Sequence, residues 1–128
     1  MNTALVVEDC LVERRAIALS LNQAGFRVLT FANGEEALEQ ISNYQPDVII
    51  LDVILPGYSG FEICRQFKAN PETRQIPIVF CSNKGTELDK FWGLKQGAAA
   101  YLTKPLLGEK LLETINQLIG KQTVDYLR

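Results

Sequence analysis

The sequence contains no histidine. That absence excludes a serine–histidine triad, a histidine-ligated metal and a phosphohistidine carrier. Cysteine is sparse as well. Cys10, Cys64 and Cys81 are an odd set at wide spacing, giving neither a disulfide framework nor a close pair of metal ligands, so they read as reduced thiols of a cytoplasmic protein. Cys10, beside an acidic pair, is expected to be the most exposed of the three. Long hydrophobic runs are missing: stretches such as Val48 to Leu51 fall far short of the roughly 20 residues that span a membrane. No sign of charge dominates, since 13 basic and 15 acidic residues leave a formal −2 with no basic stripe, a poor footprint for direct nucleic-acid binding. The N-terminus enters Ala4-Leu5-Val6-Val7 with neither a basic segment nor a small-residue cleavage site, so neither a secretory signal nor membrane insertion is expected.

What remains is the chemistry of carboxylates, hydroxyls and lysine on an ordinary globular composition. With 128 residues, 47% hydrophobic and 22% charged, the chain is expected to form one domain with its own core. No internal repeat, linker or low-complexity segment interrupts it. Residues 121–128 are expected to extend the last helix, and no output domain is expected.

Short apolar runs alternate with amphipathic stretches, the pattern of βα units around a parallel sheet. Five strands are predicted: Thr3 to Val7, Arg27 to Phe31, Asp47 to Leu51, Ile78 to Cys81 and Ala100 to Thr103. The third is apolar on both faces and should be central. Helical spacing joins Ile17, Leu21 and Ala24, and likewise Gly60, Ile63, Cys64 and Phe67, each set implying one buried side. Leu38 with Ile41, Leu88 with Phe91 and Trp92, and Leu111 with Ile115 and Leu118 mark three more helices. Gly25 and Gly97 fall just past helix ends, where a left-handed residue is wanted.

An open parallel sheet binds ligands at the carboxyl ends of its strands. There the sequence delivers Glu8 and Asp9, Asp52, Ser82 and Lys104. Taken singly, each is more often a loop cap or a solvated turn. Together, at four strand ends on one edge, they point to a site. Three carboxylates at one edge resist ionising together unless a cation sits among them. An oxygen-only set suits Mg²⁺ first and Mn²⁺ second. Lys104 adds a point charge for an anionic group and Ser82 a hydroxyl donor, a combination suited to phosphoryl transfer.

Val6-Val7-Glu8-Asp9, Ile50-Leu51-Asp52-Val53-Ile54-Leu55-Pro56 with Gly60-Phe61-Glu62, Phe80-Cys81-Ser82 and Tyr101-Leu102-Thr103-Lys104-Pro105 together resemble the response-regulator receiver domain, in order and spacing, over roughly Thr3 to Gly120. The resemblance implies a flavodoxin-like, doubly wound α/β fold with sheet order 2-1-3-4-5. It implies that Asp52 accepts a phosphoryl group from a histidine kinase or a histidine phosphotransfer protein. Asp9, Asp52 and the main-chain carbonyl of Ile54 would ligate Mg²⁺, with Glu8 assisting through water. Lys104 and Ser82 would contact the phosphoryl oxygens, and Tyr101 would rotate to report phosphorylation. The output face is then expected at Lys90, Leu94, Tyr101, Thr103 and Leu106, serving a downstream protein or a phosphorylation-dependent homodimer.

Glu8 stands where many receivers have Asp, which changes reach at constant charge. The stretch Phe91-Trp92-Gly93-Leu94-Lys95-Gln96-Gly97-Ala98 also looks like free-standing regulators of type IV pilus motility and phototaxis. Two enzymatic or binding alternatives fit less well. A haloacid-dehalogenase-type phosphatase needs a second Asp two residues beyond the nucleophile, where this chain has Ile54. A flavodoxin-like cofactor binder would not meet a phosphate with Glu8-Asp9. A non-phosphorylated interaction module would lack part of the set found here.

Overall fold

The computed structural model describes residues 2–106 and 108–127, with side chains described as far as Ile119. Five parallel strands, β1 (Thr3–Val7), β2 (Arg27–Phe31), β3 (Val48–Leu51), β4 (Ile78–Ser82) and β5 (Ala100–Thr103), form one sheet in the order β2-β1-β3-β4-β5. Helices α1 (Leu11–Gln23), α2 (Gly34–Gln40), α3 (Gly60–Ala69), α4 (Glu87–Lys95) and α5 (Gly108–Leu127) alternate with them. Among the described residues no helix is long and apolar enough to cross a membrane.

The two-residue period of the strands sorts the core into two layers. Leu5, Val7, Ile49, Leu51, Ile78 and Phe80 face Ala37, Ile63, Cys64 and Phe67 of α2 and α3. Their neighbours Ala4, Val6, Val48, Ile50, Val79 and Cys81 face Ile17 and Leu21 of α1 and Leu111 and Ile115 of α5. The three inner strands are therefore buried on both sides, as the unbroken run Val48-Ile49-Ile50-Leu51 foretells.

Several boundaries differ from the sequence reading for identifiable reasons. Asp47 lies outside β3: its carboxylate accepts the Thr3 N–H at 2.7 Å, tying it to the start of β1. β4 runs one residue further, to Ser82, whose carbonyl accepts the Lys104 N–H at 2.8 Å. Ala24 caps α1 in the open instead of joining its buried side. Ile41 is buried but belongs to a 3-10 turn, Ile41–Asn43, that follows α2. Leu88, Phe91 and Trp92 do lie on a helix, α4, but face solvent; the buried residue of that helix is Gly93.

Two features fix the connection that follows β3. Ser59 caps α3, its Oγ accepting the Glu62 N–H at 3.3 Å. Gly60 opens the same helix against the turn, where an added Cβ would lie 2.0 Å from the Asp52 main-chain oxygen and 2.8 Å from the Val53 Cα. Both neighbours are backbone and cannot swing aside. Gly60→Ala is therefore expected to lower the free energy of urea unfolding by about 2 kcal/mol or more, and an unchanged midpoint would show that the turn has slack.

Candidate functional site

The sheet's own hydrogen-bond ladder carries the functional side chains into place. Past the end of β1, the Glu8 N–H still donates to Phe31 O at 3.0 Å; past β3, the Asp52 N–H donates to Val7 O at 3.1 Å; past β5, Lys104 is tied to Ser82. Glu8, Asp52, Ser82 and Lys104 thus extend rigid strands rather than float on loops, which limits how far they can stray.

At their centre is the Lys104 ammonium. It donates to Glu8 Oε1 at 2.5 Å, to Glu13 Oε2 at 2.5 Å and to Asp52 Oδ2 at 3.0 Å. An ammonium has three donors, and each has found a carboxylate. The second oxygens are also occupied: Asp52 Oδ1 accepts the Ile54 N–H at 3.3 Å and Glu8 Oε2 the Cys10 N–H at 3.2 Å. Glu8, Asp52 and the Lys104 side chain are nearly inaccessible, while Glu13 is 38% exposed.

The quartet carries two more negative than positive charges when fully ionised. Burial resists that surplus. It pushes Glu8 up to about 7, with the hydrogen bonds from Lys104 and the Cys10 N–H pulling the other way. For Lys104, burial disfavours the cation, but the bonds to Glu13, Glu8 and Asp52 outweigh it and hold the pKa above its ordinary value. Lysine stays charged, and the surplus is negative.

The oxygens of Glu8, Glu13 and Asp52 lie within 4.8 Å of one another. With no nitrogen or sulfur ligand among them, they are a hard-oxygen set whose charge surplus equals that of a divalent cation, and they fit Mg²⁺.

Glu8, Asp52 and Lys104 converge as the sequence reading expects. Ser82 is fully buried at the same edge, its Oγ accepting the Lys84 N–H at 3.2 Å. Asp9 is exposed and outside the converging cluster. The Ile54 side chain points to solvent, with its main chain at the site. Glu13 was not anticipated, because attention to strand ends overlooks the first turn of α1. A helix beginning at Leu11, four residues beyond β1, must start over the same edge, and that was the available signal.

Beyond the carboxylates, the Tyr101 hydroxyl donates to Lys84 O while its ring packs on Phe80 with centroids 5.9 Å apart. Lys90 is half-buried; Leu94 and Thr103 are exposed. Leu106 lies apart from them, packed with the α1–α5 layer. With Glu13, Ile17, Cys81 and Pro105 it borders a cavity of about 160 Å³ next to Lys104. Of the thiols, Cys10 is exposed and the other two are buried. Burial raises Cys64 to about 11 and Cys81 to about 12, so neither supplies a nucleophile at neutral pH.

Residues 4–116 match the family described as the response regulator receiver domain. The chain is 38% identical over 120 residues to protein PilH of Pseudomonas aeruginosa, covering 94% of this chain and 99% of PilH. It is 40% identical over 121 residues to the transcriptional regulatory protein AfsQ1 of Streptomyces coelicolor, of which it spans about half, 52%. The structure superposes on the chemotaxis response regulator CheY4 of Vibrio cholerae with a TM-score of 0.87 at 32% identity, covering 92% of this chain and 98% of that one. It superposes on the BeF3-activated DrrB receiver domain with a TM-score of 0.82 at 34% identity, covering 94% and 98%.

The raised Glu8 carboxyl has a consequence for stability. Between pH 4.5 and about 7, the folded, metal-free chain retains a proton that the unfolded chain has released, so raising the pH through this window favours unfolding. Wild type is expected to lose about 2 kcal/mol more than Glu8→Gln between pH 5 and 7.5, read by urea unfolding in chelator. Parallel profiles would mean that Glu8 ionises normally.

Proposed function

This chain belongs to the response-regulator receiver domain family, and from that premise we propose that it is a two-component signalling switch that accepts a phosphoryl group on Asp52. One observation carries the reading: the Lys104 ammonium is hydrogen-bonded to Asp52 at the carboxyl edge of the sheet, beside two further carboxylates. Asp52 supplies the nucleophilic oxygen. The new bond joins it to phosphorus as the P–N bond of a donor phosphohistidine breaks, and the electron pair leaves on the imidazole, which takes up a proton. With an acyl phosphate the leaving group is a carboxylate.

Mg²⁺, when bound, supplies charge neutralisation for the phosphoryl oxygens. Asp52, Asp9 and the Ile54 main-chain carbonyl would hold it, with Glu8 in support and Glu13 close by. Lys104 turns from its carboxylates toward the phosphoryl oxygens, and the Ser82 hydroxyl donates to one of them. Ile54 offers no acid two residues beyond Asp52, so the chain does not read as a phosphatase with turnover. The donor is a histidine kinase or a histidine phosphotransfer protein and the receiver of the signal another protein. Control of type IV pilus motility or phototaxis follows only from the resemblance of the Phe91 to Ala98 stretch to free-standing regulators of those systems.

Lys84 links chemistry to output. Its N–H donates to Ser82 Oγ and its carbonyl accepts the Tyr101 hydroxyl. A phosphoryl group that engages Ser82 therefore disturbs the residue on which Tyr101 is moored. Lys90 and Leu94 lie on α4, whose Gly93 packs on the Tyr101 ring, and Thr103 follows Tyr101 on β5; the two arrangements need differ by only about 1 to 3 kcal/mol in partner affinity.

With Mg²⁺ and acetyl phosphate, intact-mass measurement is expected to show one added phosphoryl group, labile to base and hydroxylamine. Asp52→Asn should abolish it. Equal labelling of that variant would sink the assignment, and a base-stable adduct would point to a hydroxyl such as Ser82. Beryllofluoride should shift NMR resonances at Lys90, Leu94, Tyr101 and Thr103 in wild type and far less in Ser82→Ala. Shifts confined to α1 and α2 would refute the proposed output face.

A further inference from the structure

Among the carboxylates on Lys104, Glu13 differs from the other two in how it is held. Glu8 and Asp52 extend strands, and each has its second oxygen bound by a main-chain N–H, from Cys10 and from Ile54. Glu13 stands in the first turn of α1, and among the described residues its hydrogen bond is the one it accepts from Lys104 at 2.5 Å. Its side chain is 38% exposed, against 2% for Glu8 and 8% for Asp52. Already partly in water, Glu13 regains solvation when it lets the ammonium go. Glu8 or Asp52 would be left buried and uncompensated.

The place of the ammonium is set by these bonds more than by packing. Lys104 and Glu13 border the same cavity of about 160 Å³, walled by Ile17 of α1 and by Pro105 and Leu106. Along it the lysine stem lacks the dispersion contacts that would fix it, so the carboxylates decide where Nζ rests. It rests 2.5 Å from each glutamate and 3.0 Å from Asp52, closer to both glutamates than to the acceptor. A phosphoryl group on Asp52 that recruits Lys104 must therefore take the ammonium from Glu13, and it must do so against the negative charge of that side chain.

We propose that Glu13 is a positioning residue, a releasable counter-ion that holds the Lys104 ammonium in the resting chain and gives it up to the phosphoryl group. This role rests on Asp52 being the phosphoacceptor. On phosphorylation the third hydrogen of the ammonium passes from Glu13 to a phosphoryl oxygen, and the Glu13 carboxylate turns to solvent. An intact Glu13 thereby weakens the hold of the site on a phosphoryl group, while its charge strengthens the hold on a divalent cation.

Beryllofluoride titration of the full chain at saturating Mg²⁺, read by NMR, tests this on wild type, Glu13→Gln and Glu13→Asp. Gln keeps the reach without the charge; Asp keeps the charge but is one methylene too short for Nζ. Both variants are expected to bind the mimic about fivefold or more tightly than wild type. Mg²⁺ affinity, by calorimetry, should fall in Glu13→Gln and hold in Glu13→Asp. In chelator, with neither ligand present, the Lys104 ammonium resonance should broaden through faster exchange with water in both variants. Circular dichroism checks that both fold. Equal beryllofluoride affinity in wild type and both variants overturns the proposal and leaves Asp52 as the acceptor. Tighter binding in Glu13→Gln alone overturns it as well, because charge and not the contact with Lys104 would then be acting. Beryllofluoride bound by none of these chains overturns the assignment of Asp52 and this role with it.

Discussion

The Lys104 ammonium, with its three hydrogens on Glu8, Glu13 and Asp52, ties the ends of β1, β3 and β5 to the first turn of α1 in one buried knot. Desolvating each of these ions alone would cost several kcal/mol, and only the mutual pairing offsets it. The knot is thus held as a set, and changing one member alters the electrostatics of the others. That property gives a local modification wide reach. An anionic group on Asp52 draws the ammonium toward itself, and Glu8 and Glu13 then face each other with less compensation. A divalent cation among the same oxygens would supply what is missing, so the proposed cation and phosphoryl group would share one site.

Most of the architecture was legible because the physics behind it is local. Period-two burial and unbroken apolar runs gave strands whose order among α/β units is restricted by right-handed crossovers. β1, β2 and β5 match their expected bounds, and β3 and β4 shift by one residue where Asp47 and Ser82 make bonds across to other strands. The strand-end polar residues were legible for the same reason: a parallel sheet brings all its carboxyl ends to one edge. Sheet order itself came from the resemblance to receivers, since spacing does not choose among the possible orders.

The parts that were not legible depend on direction in three dimensions. Helical spacing at Leu88, Phe91 and Trp92 identified α4, but spacing cannot say which side of a helix meets the protein. Here the inner side is set by Gly93, because Tyr101 and Phe80 already fill the space a larger residue would need. Glu13 is a charged residue in an amphipathic stretch, and its role depends on the long Lys104 side chain reaching across from β5. Asp9 and Glu8 are adjacent in sequence yet divide, one exposed and one buried, because Glu8 is still held to β2 through Phe31 O while Asp9 lies beyond the ladder.

The switch residues and the exposed apolar residues of the chain meet in α4. Tyr101 lies under Gly93 and is bonded to Lys84, three residues before the helix begins, so one side chain supports α4 in its middle and anchors its approach. Few apolar contacts hold the helix otherwise, whereas α3 buries Gly60, Ile63, Cys64 and Phe67. Segments with little buried apolar surface open or shift at low free-energy cost. A disturbance passed from Ser82 through Lys84 to Tyr101 therefore meets least resistance at α4. The exposed Leu88, Phe91 and Trp92 lie on that same helix, so whatever covers them biases where α4 rests, and by linkage α4 in turn biases the site.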